Sequence, residues 1–121
     1  MITAVKTKFP VEDSLSALKR SGNLFAELFR DKNIIIEIYK PERVDLQAPH
    51  DRDELYMVIS GSGNFRMNDE VVQFKTGDLL IVPQGVAHRF ENFTENFATW
   101  VIFYGPKKIE KEEKWTIEPT R

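Results

Sequence analysis

About eight short runs of β-branched, aromatic and aliphatic residues, each closed by a turn signal, constrain this chain most strongly. Ile34 to Tyr39 is the clearest of them, since β-branched side chains pack well on a pleated surface. The others are Leu24 to Arg30, Glu54 to Ser60, Asn64 to Met67, Val71 to Phe74, Leu79 to Val82, His88 to Phe93 and Ala98 to Tyr104. Between them stand Asp31-Lys32-Asn33, Ser60-Gly61-Ser62-Gly63, Asn68-Asp69-Glu70, Lys75-Thr76-Gly77-Asp78 and Thr94-Glu95-Asn96, residues that favour tight turns. Pro41 and Pro49 imply an irregular connection, and Gly105-Pro106 ends the pattern. Short strands with turns at regular intervals point to an all-β sandwich or barrel.

With 121 residues the chain is the size of one domain. We expect an amino-terminal arm with a short helix over 1–23, a barrel over 24–106 and a charged tail over 107–121. Asp13 to Arg20 reads as the helix, with Asp13 or Ser14 capping its start, Leu15 and Leu18 on one face, and Gly22 ending it. The tail carries Ile109, Trp115 and Ile117 among its charges. It reads either as a solvated segment or as one that docks Trp115 on the barrel or on a second subunit. A formal charge of −2 gives no electrostatic footprint for nucleic acid. No apolar run approaches a membrane span, and the first residues lack the apolar core of a signal peptide. Cysteine is absent, so any metal must be held by nitrogen and oxygen, and a reducing cytoplasm is the compartment we expect.

The chain has two histidines. Strand alternation puts Glu54, Tyr56 and Val58 on one face, with Leu55, Met57 and Ile59 on the other, so this strand should be covered on both sides. A carboxylate facing a core needs a partner, and His50, four residues earlier, shares its parity. His88 follows the bend Pro83-Gln84-Gly85, with Phe90 and Asn92 on its side. His50, Glu54 and His88 together would give two nitrogens, a carboxylate and open positions. That donor set suits iron, manganese, zinc or nickel. A single histidine is more often a surface or core residue, and His88 could simply bond Asn92 or a backbone carbonyl. Arg52 could anchor an anionic substrate or pair with Asp51 or Asp53. Tyr56, Phe90 and Trp100, with Tyr39 and Tyr104, are candidates to line a cavity, although aromatics in a small barrel are mostly core. No serine, cysteine or lysine sits in a nucleophile motif.

The two stretches resemble the paired motifs of the cupin family. Glu54 and Gly61, with His50, match the end of the first motif; Gly77, Pro83, Gly85, His88 and Asn92 match the second. The resemblance implies a jelly-roll barrel (a double-stranded β-helix), a metal ion held by His50, Glu54 and His88, and a homodimer. It also implies small-molecule chemistry of oxygenase, isomerase, epimerase or decarboxylase type. Ala48 stands where the family's first histidine belongs and Glu42 where its opening glycine belongs. Gln47, Asp51 or a water could complete the metal shell, and a water or a substrate atom is favoured. Gln47 is therefore also a candidate to touch the substrate. Two functions remain open: a metal-dependent enzyme acting on a small polar molecule, or a non-catalytic module that holds a metal or ligand. A degenerate barrel without metal is the third possibility.

Overall fold

The structure, a computed structural model, describes residues 6–45 and 47–105. The expected role for Trp115 lies outside the described residues. Helix α1 spans Val11–Ser21. It starts earlier than expected, because Pro10 rather than Asp13 or Ser14 occupies the N-cap, in an extended conformation. Its carbonyl accepts the first helical bond, from the Ser14 N–H at 3.0 Å. Glu12 and Asp13 in the first turn and Lys19 and Arg20 in the last complement the helix dipole. Gly22 ends the helix in the left-handed region at φ 73°.

The strands are β1 (Phe25–Arg30), β2 (Ile34–Tyr39), β3 (Asp53–Ser60), β4 (Ser62–Met67), β5 (Glu70–Lys75), β6 (Leu79–Val82), β7 (His88–Glu91) and β8 (Ala98–Tyr104). They form a five-stranded sheet, β1-β2-β8-β3-β6, and a three-stranded sheet, β5-β4-β7. Every pairing is antiparallel. Two such sheets face to face make an all-β jelly roll with one short helix. Strand β7 is shorter than the sequence suggests: Asn92 takes φ 51°, which ends the strand before Phe93.

The core lies between the sheets. Glu54, Tyr56 and Val58 point inward from β3 and are buried, as alternation requires. Facing them are Phe65, Phe74, Phe90 and Phe97, whose rings stack with centroids 4.7–5.4 Å apart. Such pairs add about 0.5–1.5 kcal/mol each beyond area burial.

Helix α1 lies against β1 and β2 on the outer side of the large sheet, burying Leu18 and Ile38. It leaves the outer face of β3 and β6 open, where Met57, Leu79 and Ile81 are about half exposed or more. The cover expected on both sides of β3 is therefore missing among the described residues. A helix about 10 Å across covers roughly two strands spaced about 4.8 Å apart, so one helix cannot roof five.

Gly61, between β3 and β4, has φ 90°, and a Cβ there would lie 2.6 Å from the Phe97 Cα and 2.7 Å from the Thr94 Oγ1. Gly77 has φ 93° but open space around it. Gly77→Ala should therefore cost about 1 kcal/mol for the left-handed backbone alone. Gly61→Ala should cost clearly more, about 3 kcal/mol, because backbone must also move. Urea unfolding of the two variants against the parent checks the difference, and equal losses would contradict it.

Candidate functional site

The site forms where the two sheets meet at one end of the barrel. Glu54 sits at the start of β3, in register with Val82 on β6 and Phe103 on β8, and is fully buried. His88 opens β7 on the opposite sheet, opposite Met67 of β4. The bend between β6 and β7 is tied to the chain ahead of β3. The Gly85 N–H donates to the His50 carbonyl at 2.8 Å, and the Gln84 N–H donates to the Asp53 carboxylate at 2.9 Å. These bonds bring His88 over Glu54 and set His50 beside both. One ligand atom from each of the three residues lies within 4.8 Å of the others.

The hydrogens of this cluster can be assigned from its geometry. His88 Nδ1 lies 2.9 Å from the Val86 carbonyl, which can only accept, so Nδ1 carries the hydrogen. That leaves His88 Nε2 facing Glu54 Oε1 at 3.3 Å, and His50 Nε2 lies 3.7 Å from the same oxygen. Neither approach is aligned as a hydrogen bond: both Glu54 oxygens and His88 Nε2 are buried without a hydrogen-bond partner. Two lone pairs held together in a buried site require a proton or a cation between them. The bland alternative for His88, a core histidine satisfied by a backbone carbonyl, accounts for Nδ1 only.

Burial works against charge on both imidazoles. At His50 it prevails over the attraction of Glu54, and the pKa is lowered. At His88 the Glu54 carboxylate and the Val86 carbonyl outweigh burial, and the pKa is raised.

A residue without any sequence signal organises the mouth. Asp45 lies in the irregular connection after Pro41, yet it is buried and accepts from the Tyr39 hydroxyl, the Phe90 N–H and the Gln47 side-chain amide. Holding the Gln47 Nε2 at 2.8 Å turns the Gln47 Oε1 toward the site. There it accepts from the Tyr56 hydroxyl at 2.9 Å and lies 3.3 Å from His50 Nε2. Gln47 thus presents an oxygen next to exposed Ala48, on the side where the family's additional histidine would stand.

A cavity of about 530 Å³ opens beside the cluster, walled by Leu24, Phe25, Val44, Val101 and Phe103, with Glu37, Tyr39, Gln47, His50 and Glu54 among its polar groups. Of the residues proposed to meet substrate, Gln47 lines this cavity. Tyr56 sits behind Gln47 and is fully buried. Phe90 belongs to the aromatic core beneath the site. Arg52 lines a separate depression with Arg30, Ile35, Asp51 and Phe103 that meets the cavity only at His50 and Phe103. Trp100 is on the other face of the large sheet: β8 pairs Val101 with inward Tyr56, which turns Trp100 outward beside Met57. Alternation of β8 alone could not say which parity was inward; the pairing decides it. Glu37, not singled out from the sequence, projects into the cavity from the middle of β2.

In the metal-free protein His88 should take up a proton at higher pH than His50 on acidification, as followed by two-dimensional NMR of the imidazole rings. Because its folded pKa is raised, His88 adds stability below the ordinary histidine value of about 6.5 and loses it as pH rises through the folded value. His50 acts oppositely, and the reverse titration order would refute the stronger hold of Glu54 and the Val86 carbonyl on the His88 proton.

Comparison with known proteins identifies the family to which this fold belongs. Residues 35–104 match the family model described as the cupin domain. An uncharacterized protein of Streptomyces coelicolor is 31% identical over 98 residues, covering 78% of this chain and 93% of that protein. A probable inactive acireductone dioxygenase of Caenorhabditis elegans is 28% identical over 103 residues, covering 79% of this chain and 64% of its own length. An acireductone dioxygenase of Yarrowia lipolytica is 29% identical over 75 residues, covering 58% of this chain and 40% of the enzyme. With a domain match across more than half its length, on a two-sheet jelly roll carrying the second motif and the end of the first, this chain belongs to the cupin family.

Proposed function

We propose that the chain holds a divalent transition metal through His50, Glu54 and His88 and uses the adjoining cavity for oxygenase-type chemistry on a small enolic molecule. The observation that carries this reading is that both oxygens of Glu54 and Nε2 of His88 are buried side by side without a hydrogen-bond partner, as is Arg52 Nη1 elsewhere. An uncompensated buried charge costs several kcal/mol, and a cation at this point removes the cost. Two imidazole nitrogens and a carboxylate fit iron, manganese, zinc or nickel rather than calcium or magnesium. When bound, such an ion supplies Lewis-acid polarisation of a substrate oxygen and, for iron, a route to dioxygen.

The protein's own groups supply the rest. The Val86 carbonyl fixes the His88 tautomer, as second partners of metal-binding histidines commonly do. Asp45 and Tyr56 hold Gln47 so that its oxygen, not its NH2 group, faces the ligand. Phe103 packs edge-on against the His50 ring at 4.9 Å and, with Val101, keeps that wall of the cavity apolar. The similarity to acireductone dioxygenase supports oxygen chemistry on an enediol. The relative named probable inactive, together with Ala48 in place of a histidine, favours as second reading a non-catalytic metal- or ligand-holding module.

We also propose a homodimer that buries the outer face of β8, β3 and β6. Met57, Trp100, Leu79 and Ile81 lie there with Leu55 and Ile102, a mainly apolar surface suited to a copy of itself, and Asp53 at the start of β3 is the charged residue of the same parity in these registers.

Elemental analysis of protein purified without added metal should find about one transition-metal ion per chain. His88→Ala and Glu54→Gln should each lose at least about tenfold in metal affinity while circular dichroism stays that of a β protein. Absence of metal, with no uptake on titration, would sink the reading. Metal should be released as pH falls through about 6.5, since a protonated imidazole cannot coordinate. Oxygen uptake with a panel of enediols and diketones separates enzyme from holding module. For the dimer, light scattering should give twice the chain mass, reduced to one chain by Met57→Asp with Leu79→Asp; a monomeric parent protein refutes it.

A further inference from the structure

The cavity contains a second carboxyl that the metal-binding cluster does not use. Glu37 points inward from β2, paired with Glu27 on β1 and Val101 on β8. Arg30, a cation whose charge reaches Glu37, is engaged by Glu27 through bonds of 2.7 and 3.0 Å. No described residue hydrogen-bonds the Glu37 carboxyl, which is half-buried and lines the same cavity as His50 and Glu54. A carboxyl placed among Leu24, Phe25, Val101 and Phe103 gains no hydrogen bond from the described residues to offset its burial. Among the described residues, the cavity walls include no lysine or arginine. A ligand bearing its own carboxylate or phosphate would therefore meet two acidic groups among the described wall residues, with Arg30 and Arg52 lining only the adjoining depression.

We propose that Glu37 is the proton-exchanging group of this cavity, taking the hydroxyl proton of an uncharged, partly apolar enol whose other end packs on Phe25 and Val44. The proposal rests on the enolic-substrate reading above and names its class more closely. In the step, the ligand O–H bond breaks, a new O–H bond forms on the Glu37 carboxylate, and the electron pair stays on the ligand as an enolate. Return of the proton reverses it. The surroundings of Glu37 favour this exchange. Burial, then the negative charges of Glu27 and Glu54, push its carboxyl up to about 7, with Arg30 offsetting only part. Tyr39 on the same strand and His50 across the cavity are the other titratable groups facing it. A base poised near neutral pH exchanges protons efficiently in both directions.

The test is calorimetric titration of the full chain, loaded with metal, with pentane-2,4-dione at pH 8. Buffers of two ionisation enthalpies give the number of protons released, and succinate serves as the charged comparison. Parent protein should bind the dione, bind succinate at least tenfold more weakly, and release close to no protons, because Glu37 keeps the one it takes. Glu37→Gln should hold the same amount of metal, bind the dione at least tenfold more weakly, and release about one proton to buffer for each dione bound. Equal affinity and equal proton release in the two proteins would overturn the role of Glu37. Preference for succinate, or no binding of either probe, would overturn the ligand class. If the parent holds no metal, the metal-site reading fails separately, and the same comparison on metal-free protein still decides for or against Glu37.

Discussion

The structure depends on a small clamp between two loops. The bend Pro83-Gln84-Gly85 donates one backbone N–H to the His50 carbonyl and another to the Asp53 carboxylate. Neither bond is strong alone, each being worth about 1 kcal/mol net. Their effect is geometric, since they fix the start of β3 against the start of β7, which belong to different sheets. Glu54 then stands under His88, with His50 closing the third side. Without that clamp the two motifs would be ordinary strand ends.

Around the clamp, the molecule balances a costly polar site against an aromatic core. Phe65, Phe74, Phe90 and Phe97 interlock directly beneath Tyr56. They supply the burial that lets the barrel keep unpartnered donor atoms in its interior. Asp45 joins the two regions. Its carboxylate holds both the Phe90 N–H of the core and the Gln47 amide near the mouth, so packing below and ligand orientation above share one residue. The histidine replaced by Ala48 therefore leaves a neighbourhood that is still polar. Gln47 supplies it with an oxygen whose direction is set by two partners.

The cavity also differs from a simple polar pocket. Its walls are mainly apolar, and its acids lie on two different strands, Glu37 on β2 and Glu54 on β3. This separates a group committed to the cluster from one free to act on whatever enters. The open outer face of β3 and β6 lies on the other side of the same sheet. A partner covering that face would stiffen the strands that carry Glu54.

Much of this was legible along the chain. Turn residues and β-branched runs located the eight strands among the described residues, because these depend on local backbone preference. The spacing of His50, Glu54 and His88, with glycines and proline between, pointed to the cluster, because period-two alternation fixes which residues share a face. What sequence could not decide was which face is inward on a strand apolar on both sides. Trp100 and Val101 look equally suitable until the pairing of β8 with β3 puts Val101 inside. Nor could it find Asp45, whose partners lie two, six and forty-five residues away, the last of them, Phe90, meeting it only across the folded barrel. The local code set the strands and the ligand types. Tertiary pairing alone decided orientation, burial and the second carboxyl, because those belong to contacts between segments that no single segment encodes.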